Sequence, residues 1–237
     1  MPLLGFSTGA LFRDDLARGV EAVRDMRLEA IELSALRKRE LPGLVDFVES
    51  AKLDAFTYIS VHAPTDYLPD EEPDVARILL ELSRRHGWPV VIHPDCISNV
   101  DLWRPFEEHL CIENMDKRKP IGRTVEELRP LFEAYPGARL CFDIAHAHQV
   151  DTSMTEAYRI LREFGPRICQ LHVSEVTSKS KHDRISEAVL SAFLDVSVLL
   201  PKTVPVILET PVNVAEAGRE LRMVARLFEP AVAGARA

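Results

Sequence analysis

The sequence predicts an α/β chain folded as a single (β/α)8 TIM barrel, and three observations carry that expectation. Eight apolar runs, at 3–8, 29–34, 57–63, 89–94, 109–114, 139–145, 167–173 and 204–210, alternate with stretches of helical periodicity. No linker, low-complexity tract or shift in composition divides residues 1–237, so one domain is expected. The turn after the first run, Gly5-Phe6-Ser7-Thr8-Gly9, lacks the glycine spacing that announces an open dinucleotide-binding sheet. Strict alternation implies parallel strands with right-handed crossovers, and eight even units favour closure into a barrel over an open sheet.

Taken in order, the first run opens the chain almost at once, and Leu16, Val20, Val23 and Met26 mark the apolar face of the helix after it. Leu44, Phe47 and Val48 mark the next helix, which Gly43 punctuates near its start. Val75, Ile78, Leu79 and Leu82 follow the third run, between Pro73 at the start and His86-Gly87 as a stop. The fourth helix, near 102–107, is short. Thr124 with Glu127 reads as a capping box ahead of Val125, Leu128, Leu131 and Phe132. Ala157, Ile160, Leu161 and Phe164 form a face that Gly165-Pro166 ends, and two further helical stretches cover 185–200 and 214–228. The chain begins in its first strand and ends just after its eighth helix, as a barrel with little decoration would.

Bulk properties narrow the function. No apolar run approaches the about 18 residues needed to span a bilayer, so no membrane role is expected. The amino terminus has no basic region, long apolar stretch and cleavage site in succession, which points to a cytoplasmic protein. Cys111, Cys141 and Cys169 sit inside apolar runs, the usage of a core and not of a disulfide framework. A formal charge of −8 repels polyanions. Nucleic acid could be gripped only through Lys117-Arg118-Lys119 or the segment 179–181, both of which read as solvated loops.

Polar residues close the runs with regularity: Glu32, His62, His93, Glu113, Asp143, His172 and Glu209 stand at the ends of the second to eighth. In a (β/α)8 barrel these ends form one functional face. Side-chain alternation places Cys111, Cys141 and Ile207 one layer beneath Glu113, Asp143 and Glu209, as a largely apolar floor. Any one of the histidines alone is the mark of a satisfied structural residue; the convergence is what points to a ligand set. Three carboxylates and three histidines at one mouth require something positive among them, and a divalent cation is the economical answer. Mixed imidazole and carboxylate donors suit zinc, manganese, iron or cobalt. His146 and His182 are expected in loops just beyond the strands, while His86, His109 and His148 look incidental.

In strand order, Tyr58-Ile59-Ser60-Val61-His62-Ala63-Pro64, Leu110-Cys111-Ile112-Glu113-Asn114, Asp143-Ile144-Ala145-His146, Gln170-Leu171-His172-Val173 and Ile207-Leu208-Glu209-Thr210 resemble the xylose isomerase-like barrel superfamily over essentially the whole chain. That superfamily includes sugar isomerases and epimerases, and the AP endonucleases of family 2. The resemblance implies a metal quartet of Glu113, Asp143, His172 and Glu209. In its isomerase-like branch Glu113 and Glu209 are also the acid/base pair, working from opposite faces of a small sugar or sugar phosphate, with His146 and His182 as substrate contacts. In its endonuclease-like branch His62 and His93 hold a second metal with Glu113 as a bridge, and His146 and His182 belong to a third. There Ser180 stands where that branch has an aspartate.

One to three divalent ions per chain, zinc or manganese, are therefore expected. The first expectation is a metal-dependent isomerase or epimerase. The alternative is a multinuclear zinc phosphoesterase, which the acidic charge, short loops and Ser180 disfavour for abasic DNA. A third outcome is a barrel that binds metal without catalysis.

Overall fold

The computed structural model describes residues 1–229, so the last eight residues of the expected domain lie outside the described part. Eight strands close into one barrel: β1 Leu4–Ser7, β2 Ala30–Ser34, β3 Tyr58–His62, β4 Val90–Ile92, β5 Leu110–Glu113, β6 Arg139–Asp143, β7 Ile168–Val173 and, numbered after a later hairpin, β10 Val206–Leu208. Each pairs in parallel with its two neighbours, and β10 closes onto β1. Every strand falls within one of the eight apolar runs. Continuous apolar runs make strands here because both faces are covered, the outer by helices and the inner by the barrel's own filling.

The outer layer comprises α2 Leu16–Asp25, α3 Leu41–Ser50, α4 Glu72–His86, α5 Val100–Trp103, α6 Val125–Ala134, α8 Thr155–Phe164, α9 Glu187–Val196 and α10 Val214–Ala225. On α8 the buried residues Ala157, Ile160, Leu161 and Phe164 recur at helical spacing and join the main core. Thr124 caps α6 by accepting from the Glu127 N–H, while the Glu127 carboxylate accepts from the Arg123 N–H. Gly87 ends α4 in the left-handed region, at φ 72°. Gly5 has a different reason: a Cβ there would lie 2.0 Å from the Ala30 carbonyl oxygen, so β1 and β2 require glycine at this approach.

Inside the barrel, Val91, Cys111 and Cys141 pack together with Cys169 against them. The β6–β7 pairing shifts register between Leu140 and Cys141, skipping Cys169. That shift sets Gln170 opposite Cys141 and His172 opposite Asp143, so both polar residues of β7 share the inward face. The floor is thus less apolar than alternation from the three carboxylates suggests, because Ser60 and Gln170, both fully buried, also occupy it.

Three elements depart from the sequence reading. Thr8–Leu11 forms a short helix, α1, directly after β1. His146 is not in a loop: it lies in α7 Ile144–Val150, whose first residues the apolar run at 139–145 had absorbed. His182 belongs to a two-stranded hairpin, β8 Glu175–Val176 with β9 His182–Asp183, which folds the seventh connection back over the mouth.

Candidate metal centre

The strand ends deliver their polar residues to one place. His62, Glu113 and Asp143 are the last residues of β3, β5 and β6; His172 is the penultimate residue of β7; His93 and Glu209 directly follow β4 and β10. One ligand atom from each of Glu113, Asp143, His172 and Glu209 lies within 4.8 Å of the others. His62, His93 and Glu113 form a second such group, and Glu32, His62 and Glu209 a third.

Local bonds aim these groups. Asn114 clamps β5 to β6, donating from its amide to the Asp143 carbonyl and accepting from the Asp143 N–H, both at 2.8 Å. Asp143 Oδ1 caps α7 by accepting from the His146 N–H, also at 2.8 Å, which leaves Oδ2 buried with no hydrogen bond, 3.4 Å from His146 Nδ1. His172 Nδ1 is likewise buried and unpartnered, 3.5 Å from one oxygen each of Glu113 and Glu209.

His62 Nδ1 lies 2.9 Å from the Ala63 carbonyl, which can only accept. Nδ1 therefore carries a proton, and Nε2 faces Glu113 at 3.3 Å, donating to that carboxylate when the ring holds its second proton. His93 presents Nε2 to the same Glu113 oxygen at 3.4 Å, but its Nδ1 has no acceptor. His146 Nδ1 donates to the Asn114 carbonyl at 3.0 Å and lies 3.2 Å from Glu113. His182 Nδ1 meets the Ser174 hydroxyl at 2.8 Å while Nε2 lies 3.6 Å from Glu209. Ser180 donates to Asp116 Oδ1 at 2.7 Å.

Without a cation, protons take its place. Burial lowers the His62 pKa, but the hydrogen bond to Glu113 and the charges of Glu32, Glu113 and Glu209 raise it to about 9. His146 is raised to about 10, against burial, by Asp143 and Glu113. Burial pushes Glu113 up, but the imidazoles of His172 and His93 and further bonds to His146 hold it well below the usual carboxylate range. Burial raises Asp143, with Glu113 and Glu209 adding to it and His146 offsetting part. Glu209 is raised by burial too, partly offset by His172. His182, partly desolvated at the mouth and beside the positive charge of His146, is lowered to about 4.

The donor set fits a divalent cation. Two of the four quartet members offer a buried, unpartnered atom, a state that costs roughly 1–3 kcal/mol per group unless something binds there. Imidazole nitrogen mixed with carboxylate oxygen matches first-row transition metals.

Sequence reasoning gave no role to Gln170, Ser60 and Tyr58, and it set Glu32 at the end of its strand, whereas Glu32 is the third of the five residues of β2 and so lies deeper than the mouth. Tyr58 donates to Gln170 at 2.7 Å, and Gln170 and Ser60 donate to Glu32 at 2.6 and 3.2 Å. The available signal was alternation: Gln170 stands two before His172, and Ser60 two before His62, so each shares its neighbour's face.

No protein-family model matches the sequence, and no curated protein matches it. Solved structures do resemble the barrel. A D-tagatose 3-epimerase-like protein superposes with a TM-score of 0.64 at 19% identity, covering 95% of this chain and 96% of that one. The 3-keto-D-glucoside 4-epimerase from E. coli, in its apo form, gives 0.63 at 12%, covering 96% and 99%. A family 2 AP endonuclease from Brucella melitensis gives 0.54 at 11%, covering 89% and 93%. At such identities the likeness establishes the fold, the one shared by xylose isomerase-like epimerases and family 2 endonucleases.

Proposed function

We propose that the chain is a divalent-metal-dependent isomerase or epimerase that acts on a small sugar or sugar phosphate by proton transfer next to a carbonyl. The observation that carries this reading is the quartet of Glu113, Asp143, His172 and Glu209, four ligand atoms from four strand ends within 4.8 Å of one another. Barrels of the same fold include an epimerase and an epimerase-like protein. A zinc or manganese ion held there supplies a Lewis acid for the substrate's carbonyl oxygen. The chain's own groups handle the protons. Glu113 and Glu209 flank His172 and take the two roles of base and acid, one removing the proton beside the carbonyl and the other returning it.

His146 and His182, their ring centroids 5.6 Å apart, form one wall of the mouth and are placed to bond substrate hydroxyls. On the same rim Arg118 donates to the Ser180 carbonyl at 2.9 Å, bringing the two basic segments together, which favours a phosphorylated sugar among the candidates. A cavity of about 1030 Å³, lined by Thr8, Phe12, Ser34, Leu36 and Thr65 among others, adjoins the ends of β1 to β3 and offers room for the unreactive end of the substrate.

A second reading has one specific observation in its favour: His62 and His93 converge on Glu113 as a second metal's ligands would. It corresponds to a multinuclear zinc phosphoesterase. Ser180 weakens it, because the hydroxyl is spent on Asp116 and supplies no carboxylate to a third ion.

The test is metal content of protein purified without chelator, followed by incubation of the metal-loaded protein in D2O with a panel of ketoses, aldoses and their phosphates. Chelator-sensitive exchange of a carbon-bound hydrogen is expected. No exchange across the panel, together with chelator-sensitive nicking of an abasic duplex, would put the second reading first.

A further inference from the structure

Glu32 is the one carboxylate of the cluster that does not end on the mouth. It sits in β2, opposite Ser60 of β3, and is fully buried. A buried carboxylate is expensive, and fold stability alone seldom explains one, since apolar replacements of similar volume are often neutral. Here one oxygen, Oε2, collects three donors: Ser60 at 3.2 Å, Gln170 Nε2 at 2.6 Å and His172 Nε2 at 3.1 Å. Gln170 Nε2 and His172 Nε2 also lie 2.7 Å apart, within hydrogen-bonding distance, so the Gln170 amide competes to donate to the same ring nitrogen.

We infer that Glu32 is a positioning residue that fixes the tautomer and rotation of His172, so that Nδ1 is the nitrogen presented to the metal. The inference rests on the metal-centre reading above. An imidazole that donates from Nε2 to a carboxylate keeps its lone pair on Nδ1, the atom left unpartnered 3.5 Å from Glu113 and Glu209. Ser60 and Gln170 hold the carboxylate, and Tyr58 in turn holds the Gln170 carbonyl at 2.7 Å, so the chain of support runs from the barrel floor to the ligand. Without Glu32, His172 Nε2 would keep the Gln170 amide nitrogen at 2.7 Å, and the ring could satisfy that contact best by moving its proton to Nδ1, the wrong tautomer for binding.

Two variants grade the effect. Glu32→Gln keeps an acceptor and loses the charge; Glu32→Met loses both at similar volume. Cobalt(II) and zinc affinity, measured by competition with a chromophoric chelator, should fall about 10-fold for the first and about 100-fold for the second. The visible spectrum of bound cobalt should change, and stoichiometry should not. Affinity within threefold of wild type in both overturns the inference, as does a merely structural pattern of lower melting temperature with unchanged affinity. Loss of one metal equivalent at unchanged affinity also overturns it, making Glu32 a direct ligand with His62 and Glu209.

Should both variants fail to fold, the wild-type protein suffices: its zinc form should show His172 protonated at Nε2 in a long-range 1H–15N spectrum, and a proton on Nδ1 refutes the assignment. A wild-type chain that binds neither ion removes the metal-centre reading itself, an outcome distinct from equal binding by wild type and variants.

Discussion

Asp143 does two jobs with two oxygens, and a pair of substitutions separates them. Oδ1 caps α7, whereas Oδ2 is buried, makes no hydrogen bond and is part of the quartet. Asparagine keeps an oxygen for the cap and removes the charge; alanine removes both. Loss of the cap costs about 1 kcal/mol (range about 0.5–2), which for a chain of this size is about 2–4 °C in apo melting temperature. The charge has the opposite sign of effect. Asp143 has a folded-state pKa above its ordinary value, so its contribution to stability is present only below the unfolded pKa and is a net cost at neutral pH.

Metal-free Asp143→Asn should therefore melt no lower than metal-free wild type, and Asp143→Ala should melt about 2–4 °C below Asp143→Asn. Metal affinity moves the other way. Removing one partner from a buried charged pair costs about 3–5 kcal/mol, so both variants should lose roughly two to three and a half orders of magnitude in affinity. Differential scanning fluorimetry of chelator-treated protein gives the first quantity, and competition with a chelator gives the second. Lys117→Ala, an exposed change at the rim, is the control that leaves binding intact. Unchanged metal affinity in Asp143→Asn would show that the quartet is not the metal site.

The other expectations follow from the same geometry. His62→Ala and His93→Ala should keep the quartet's metal and mainly raise KM; loss of one metal equivalent with nearly all turnover would instead establish a two-metal enzyme. Because His62 and His146 are raised to about 9 and about 10, their contribution to metal-free stability is whole below about pH 6.5 and is lost as pH rises through those values. Metal-free melting temperature should fall across that window, where His93 and His182 stay neutral folded or unfolded; a flat profile would refute the assignment. Duplex DNA should not bind tightly at physiological salt, since a chain of net charge −8 with two short basic segments neutralises few phosphates; a steep salt slope in a filter-binding assay would contradict this.

The barrel was legible because its strands are buried on both faces and so read as unbroken apolar runs, each closed by a polar residue that has only the mouth to face. Where a side chain sits around the barrel was not legible. Glu32 ends its apolar core as His62 and Glu113 do, yet two more residues of β2 follow it, and this places it on the floor beside His172. Alternation shows which face a residue takes but not its depth, and the β6–β7 register shift that aligns His172 with Asp143 leaves no mark in the sequence. Helix α7 was hidden for another reason: Ala145-His146-Ala147-His148-Gln149 has no apolar stripe, and its first turn extends the strand's own apolar run. The hairpin that carries His182 is only two residues per strand, too short for a periodic signal.

Charge ties these features together. Glu32, Glu113, Asp143 and Glu209 are at most 12% exposed, and among the described residues their ion pairs are with histidines alone. No lysine or arginine relieves them, so the balance must come from protons or metal. One divalent ion offsets two of the four charges and leaves His62 and His146 to keep their protons. Two divalent ions offset all four, and His62, now a ligand through Nε2, must give its extra proton up. The number of metals and the number of protons released on binding are therefore one question. Calorimetry at pH 7 in buffers of differing ionisation enthalpy reads the second number directly, and so separates a mononuclear isomerase centre from a binuclear hydrolytic one before any substrate is known.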